Sequence, residues 1–281
     1  MSPLQNPQFD EPSPESAPQP QRALSESQRP NELQLSPPPK AGENPVWSGW
    51  DVLQVAGLTV LLAFFVVPVV TVSLARIFVY PHQAWPQVAQ KPALALVSQF
   101  VAYIIVALFM IMLVEGKYRT RFWPAIRWNW PGLAGVNLVG VGVFMLAFDY
   151  LARFFPTPQN TPFEQFFDRP LDAYLTAVFA VTFGPFMEEL FFRGMLYPVL
   201  ARRLGAFGGI FVTSVLFGLM HFIQYGRSWG AVLIIFLVGV VLTTIRALTK
   251  SVAASFLAHV GYNGALMTLA ALATDGFRHM E

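Results

Sequence analysis

The sequence predicts an all-α fold: a polytopic transmembrane helical bundle of about seven, or eight, spanning helices. Three observations carry this expectation. Of 281 residues, 54% are hydrophobic and only 12% are charged, against roughly 25% charged in soluble domains. The apolar residues gather into runs near the roughly 20 residues that a helix needs to cross the hydrocarbon. These runs lack the alternation of a barrel strand, and backbone groups in lipid must be satisfied within their own segment, so helix is the default.

Taken in order, residues 1–49 are rich in Pro, Gln, Ser and Glu, including Pro37-Pro38-Pro39, and hold no apolar run able to offset chain entropy. They are expected to form a disordered tail ahead of an integral membrane domain at 50–281. Without the basic start, short apolar core and cleavage site of a signal peptide, the first apolar segment should serve as a retained anchor. Apolar segments follow at about 52–79, 92–114, 132–152, 171–199, 206–224, 230–247 and 251–273. Pro68 should kink the first, and Gly184-Pro185 should kink or break the fourth. Lys117, Arg119, Arg121 and Arg127 lie between segments two and three, Arg202 and Arg203 between four and five, and Arg246 and Lys250 between six and seven. These loops should be cytoplasmic, giving a multi-pass protein of a plasma-type membrane with its N-terminus inside and its C-terminus outside.

Composition also excludes. With no cysteine, there is no disulfide, thiol nucleophile, Cys-ligated zinc or iron–sulfur cluster. The net charge of +2 is small and its basic residues are dispersed between apolar runs, so no nucleic-acid partner is expected. The expected partners are the lipid bilayer and a peptide or protein.

Charges that persist inside apolar segments need a partner or a task. Met187-Glu188-Glu189-Leu190-Phe191-Phe192-Arg193 places two carboxylates and a guanidinium in such a segment. On a helix, Glu189 and Arg193 share a face while Glu188 is turned about 100° away. Glu189 and Arg193 are therefore expected to pair, leaving Glu188 to face a cavity as general base. Phe217-Gly-Leu-Met-His221 and His259-Val-Gly-Tyr-Asn263 add imidazoles and an amide on later segments. One imidazole would position a water beside Glu188; the other, with the Asn263 amide, would stabilise an oxyanion. Glu188, His221 and His259 are also candidate metal ligands, zinc being the metal such residues would take, although no His-Glu-x-x-His helix is present. The glutamate mechanism requires no cofactor. Asp149 with Arg153 reads as a local salt bridge, Ser98, Gln99 and Asn137 as interhelical hydrogen-bonding groups, and Gly205-Ala-Phe-Gly-Gly209 as a small-residue packing site.

In order and spacing, Glu188-Glu189-x-x-x-Arg193, Phe217-x-x-x-His221 and His259-x-x-x-Asn263 resemble the motif set of the CPBP family. This is the Abi family of CAAX prenyl endopeptidases and bacteriocin-processing or immunity proteins. The resemblance covers about 171–273. It implies an intramembrane endopeptidase in which Glu188 and His221 activate water, His259 and Asn263 stabilise the oxyanion, and Glu189 and Arg193 support the site. It further implies a membrane-associated substrate, of which prenylated peptides are the best-known class, and eight helices in the prenyl-processing members. The alternative is a non-catalytic membrane binding or immunity protein on the same fold. A proton-coupled transporter would also use buried Glu and His, whereas the absence of Gly-x-Gly-Asp and Gly-x-Ser-x-Gly sequences argues against other intramembrane proteases.

The segment boundaries contain one mismatch. They put His221 near the outer end of segment five and Glu188 and His259 nearer the cytoplasmic half. A segment five starting later than Ala206, after a longer turn, would reconcile them.

Overall fold

Every described regular element is helical. The computed structural model describes residues 43–155 and 161–278, apart from the side chains of 152 and 153. The described residues belong to a single unit spanning 41–281. The expected disordered tail therefore lies outside the described residues over 1–42, as does the Arg153 half of the Asp149–Arg153 pair. Asp149 accepts a hydrogen bond from the Tyr262 hydroxyl at 3.1 Å.

The principal helices are α1 (Gly49–Phe78), α2 (Pro92–Lys117) and α3 (Ala134–Leu151), then α4 (Pro170–Val181) and α5 (Phe183–Glu189). A π-helical turn, Leu190–Leu196, leads from α5 into α6 (Tyr197–Met220). They are followed by α7 (Trp229–Thr249) and α8 (Val252–Ala273). Six stretches among the described residues are long and apolar enough to span a membrane, and one of them, Pro170–Met220, has 51 residues. Straight, it would measure about 75 Å, more than twice the roughly 30 Å hydrocarbon thickness. It doubles back at Gly205, whose φ of 73° and ψ of 171° are open to glycine and costly for other residues. The seven apolar segments thus map onto six stretches, 171–199 and 206–224 being the two arms of one. The protein is an integral, multi-pass membrane protein.

Prolines set the remaining breaks. A π-helical turn at Leu62–Val66 precedes Pro68, relieving the clash of the proline ring with the preceding turn. In the fourth segment the break falls at Thr182, with φ −116° and ψ −76°. That is three residues ahead of Pro185, because the missing N–H and the ring act on the turn before the proline. In the Gly205–Gly209 stretch the two glycines do different work. Gly205 makes the corner, while a Cβ on Gly209 would stand 2.9 Å from the Ala201 backbone, so Gly209 lets the arms approach.

The depth mismatch is corrected by this corner. The helix carrying the glutamates continues past 199 to Leu204 and the returning arm starts directly at Ala206, so no longer turn is involved. Glu188 and His221 stand almost equally far along the chain from Gly205, which brings them level.

Two further contacts position α8, the helix of His259. A Cβ on Gly142 would lie 2.0 Å from the Ala258 carbonyl oxygen, and one on Gly261 would lie 2.3 Å from that of Val139. Backbone cannot yield as a side chain can, so Gly142→Ala should separate α3 from α8. A loss of about 1–3 kcal/mol is expected, read as a lowered melting temperature in detergent; an unchanged melt would show that the helices need not touch here.

The residues leading into α1 make specific contacts. Trp47 is 1% exposed, and Ser48 caps α1 in a capping box with Asp51. Asp51, fully buried, takes hydrogen bonds from Lys117 and Tyr118, each at 2.6 Å. Composition averaged over the tail hides single residues that find specific partners.

Candidate active site

Glu188 and Glu189 end α5, where adjacency on a helix sends them in different directions. Glu189 and Arg193 are both fully buried and pair at 2.8 Å. Each guanidinium nitrogen has a partner: Nε donates to Thr243 Oγ1 at 3.2 Å, Nη1 to Glu189, and Nη2 to the Gly239 carbonyl at 3.2 Å. It also lies 4.4 Å from the Phe217 ring centroid. A buried charge survives only with such partners, and here they tie the π-helical turn to α7.

The same Glu189 oxygen accepts from His259 Nδ1 at 2.9 Å. A carboxylate paired with Arg193 can only accept, so Nδ1 carries the proton and Nε2 is left for other work. His221, one residue beyond the end of α6, has its Nδ1 2.9 Å from the Phe217 carbonyl. A carbonyl also only accepts, so the same inference holds. Both imidazoles therefore present Nε2, and both face Glu188: His221 Nε2 lies 3.8 Å from one carboxylate oxygen and His259 Nε2 3.7 Å from the other. Phe217 packs edge-on against both rings, at 5.1 Å and 5.8 Å between centroids. Glu188 keeps 16% side-chain exposure and His221 13%, so the carboxylate stays accessible to a small nucleophile while its neighbours are fixed.

Asn263 sits one turn beyond His259 on α8. Its amide donates to the Ala180 carbonyl at 2.7 Å, a group next to the Thr182 break where regular helical donors run out. That employs one N–H and leaves the second. The structure thus brings together Glu188, His221 and His259, locks Glu189 and Arg193 behind them, and uses Asn263 partly to close the break in the helix. Among the described residues no group of three His, Asp or Glu side chains converges as a metal site. The donor types of Glu188, His221 and His259 suit zinc, which would supply a polarised water if held there.

Sequence reasoning missed several neighbours. Thr243 and Gly239 hold Arg193, and only a buried arginine needing partners hinted at them. Tyr225, beyond His221, feels the charge of Glu188. Burial, then the Glu188 and Asp149 carboxylates, push the Tyr225 hydroxyl up to about 12, so it remains a phenol at neutral pH and can donate.

Two carboxylates and two imidazoles are thus gathered inside an apolar helical bundle. Residues 170–265 match the family described as Rce1-like, type II CAAX prenyl endopeptidase, which supports the resemblance carried by the motifs. Neither a curated protein nor a solved structure gives a significant match to the chain.

Proposed function

We propose that the protein is an intramembrane endopeptidase that hydrolyses a peptide bond with water activated by Glu188. The observation that carries this reading is the presentation of both imidazole Nε2 atoms, 3.8 Å and 3.7 Å away, to the two oxygens of Glu188. Such gaps exceed a direct hydrogen bond and suit a shared water. Glu188 takes one proton of that water and His221 Nε2 accepts a hydrogen bond from it as its oxygen attacks the carbonyl carbon. One imidazolium beside the two carboxylates and Arg193 makes the cluster neutral. We assign that proton to His259, whose Nε2–H then faces the developing oxyanion together with the second Asn263 N–H. When the C–N bond breaks, the Glu188 carboxylic acid returns its proton to the leaving amine.

The basic residues Lys117, Arg127, Arg202 and Arg246 gather at one end of the bundle, where they contact the Glu43–Asp51 stretch. The positive-inside rule favours that end as the cytoplasmic one, which supports the reading of an N-terminus inside. The family description suggests a prenylated C-terminal peptide as substrate. The test compares wild type and Glu188→Gln, purified in detergent, on prenylated and unmodified peptides, with metal analysis of the same samples. Cleavage confined to wild type supports the reading, and preference for prenylated peptides identifies the substrate class. Stoichiometric metal required for cleavage would replace the metal-free mechanism. A folded wild type that cuts nothing would favour the non-catalytic binding alternative.

A further inference from the structure

The helix that carries the glutamates changes its winding at once after them. Seven residues, Leu190–Leu196, are π-helical, a wide turn that is rare and tends to sit at functional sites. Its exit is short of donors, because Pro198 has no N–H to give and a change of helical register leaves carbonyls unmatched. One donor arrives from far away in the sequence: the Trp47 indole N–H bonds the Met195 carbonyl at 2.9 Å. Trp47 is 1% exposed, and a buried indole needs such a partner.

The chain on either side of Trp47 is gripped as well. Arg202 donates to the Pro45 carbonyl at 2.8 Å and to the Trp47 carbonyl at 3.3 Å. Upstream, the Glu43 carboxylate takes both Arg246 Nη groups, at 2.9 Å and 3.2 Å, and Arg127 at 3.0 Å. Arg246 is 1% exposed and lies on α7 one turn beyond Thr243, a partner of Arg193. The short stretch therefore fastens the same two elements, the π-helical turn and α7, whose spacing sets the Arg193–Glu189–His259 chain.

We propose that Glu43–Ser48 is a strap that positions the π-helical turn following Glu188 and Glu189, with Trp47 the positioning residue acting through Met195 and the Glu43–Arg246–Arg127 cluster its anchor. The role rests on the proteolytic reading of Glu188. The strap holds the turn in the wound state that points Glu188 at the two imidazoles.

The experiment uses the full chain in detergent and compares wild type, Trp47→Phe, which keeps an aromatic ring and deletes the N–H, and Glu43→Gln. Amide hydrogen exchange over 187–197, cleavage kinetics and melting temperature are measured together. Trp47→Phe should speed exchange in that window and lower kcat about five- to tenfold with KM unchanged, as the loss of one hydrogen bond permits; Glu43→Gln should shift both in the same direction, by less. Unchanged exchange and kcat would overturn the proposal. So would a lowered melt with kcat unchanged in the folded fraction, which would make the strap a structural anchor alone. Should Trp47→Phe fail to fold, Glu43→Gln decides by the same readouts. If wild type cleaves no peptide, the proteolytic reading fails, and the exchange data alone judge the strap: faster exchange confined to 187–197 supports it and unchanged exchange overturns it.

Discussion

Glu188→Gln is expected to lower kcat by about 10²–10⁴-fold, the range that a general base contributes, with KM close to wild type. The argument is that the substitution changes little else. Glutamine has the shape of glutamate, the side chain is 16% exposed, and its nearest ionisable partners stand 3.7 Å and 3.8 Å away. No short buried bond is broken, so folding and insertion should survive. What disappears is the capacity to take a proton from water. Substrate binding does not use that capacity, so the loss belongs in kcat. Steady-state kinetics with a melting curve on the same preparation checks both halves, and wild-type turnover by Glu188→Gln would eliminate the mechanism.

Its neighbour should behave in the opposite way. Glu189→Leu is expected to destabilise the protein by about 3–5 kcal/mol, because it strands the fully buried Arg193 without its counter-charge. The loss should be largely reversed in the double variant Glu189→Leu with Arg193→Met, since a buried ion pair replaced by apolar groups of similar volume is often neutral. Cleavage should stay low in that double variant: His259 loses the 2.9 Å bond that fixes its Nδ1 proton and ring orientation. Melting curves and cleavage rates on the single and double variants separate the two functions of Glu189. Recovery of cleavage along with stability would show that the carboxylate does not hold His259. Adjacent residues of identical chemistry are thus expected to fail in different ways, one by lost proton transfer and the other by an uncompensated charge.

The amino-acid sequence by itself determined the helical membrane class, because apolar runs near bilayer length leave a backbone few other ways to satisfy its hydrogen bonds in lipid. It also determined the residues worth watching. Glutamate, histidine, arginine and asparagine are costly in such runs, and their recurrence on successive segments at helical spacing marked the positions that the fold gathers. Local rules located the breaks near Pro68 and Pro185, to within a turn. What only the tertiary structure decided was everything that depends on residues far apart in the chain. The corner at Gly205 falls in the gap between the hydropathy segments 171–199 and 206–224, but that it sets Glu188 level with His221 depends on how far each helical arm runs from it. The Nδ1 partners of both histidines, which fix the nitrogen each turns to Glu188, come in one case from another helix and in the other from a backbone carbonyl. Thr243 and Gly239 behind Arg193, and Trp47 bonded to Met195, are ordinary residues in sequence. Composition and periodicity report what a segment prefers, whereas a single hydrogen bond between distant segments exists only once packing has brought donor and acceptor together.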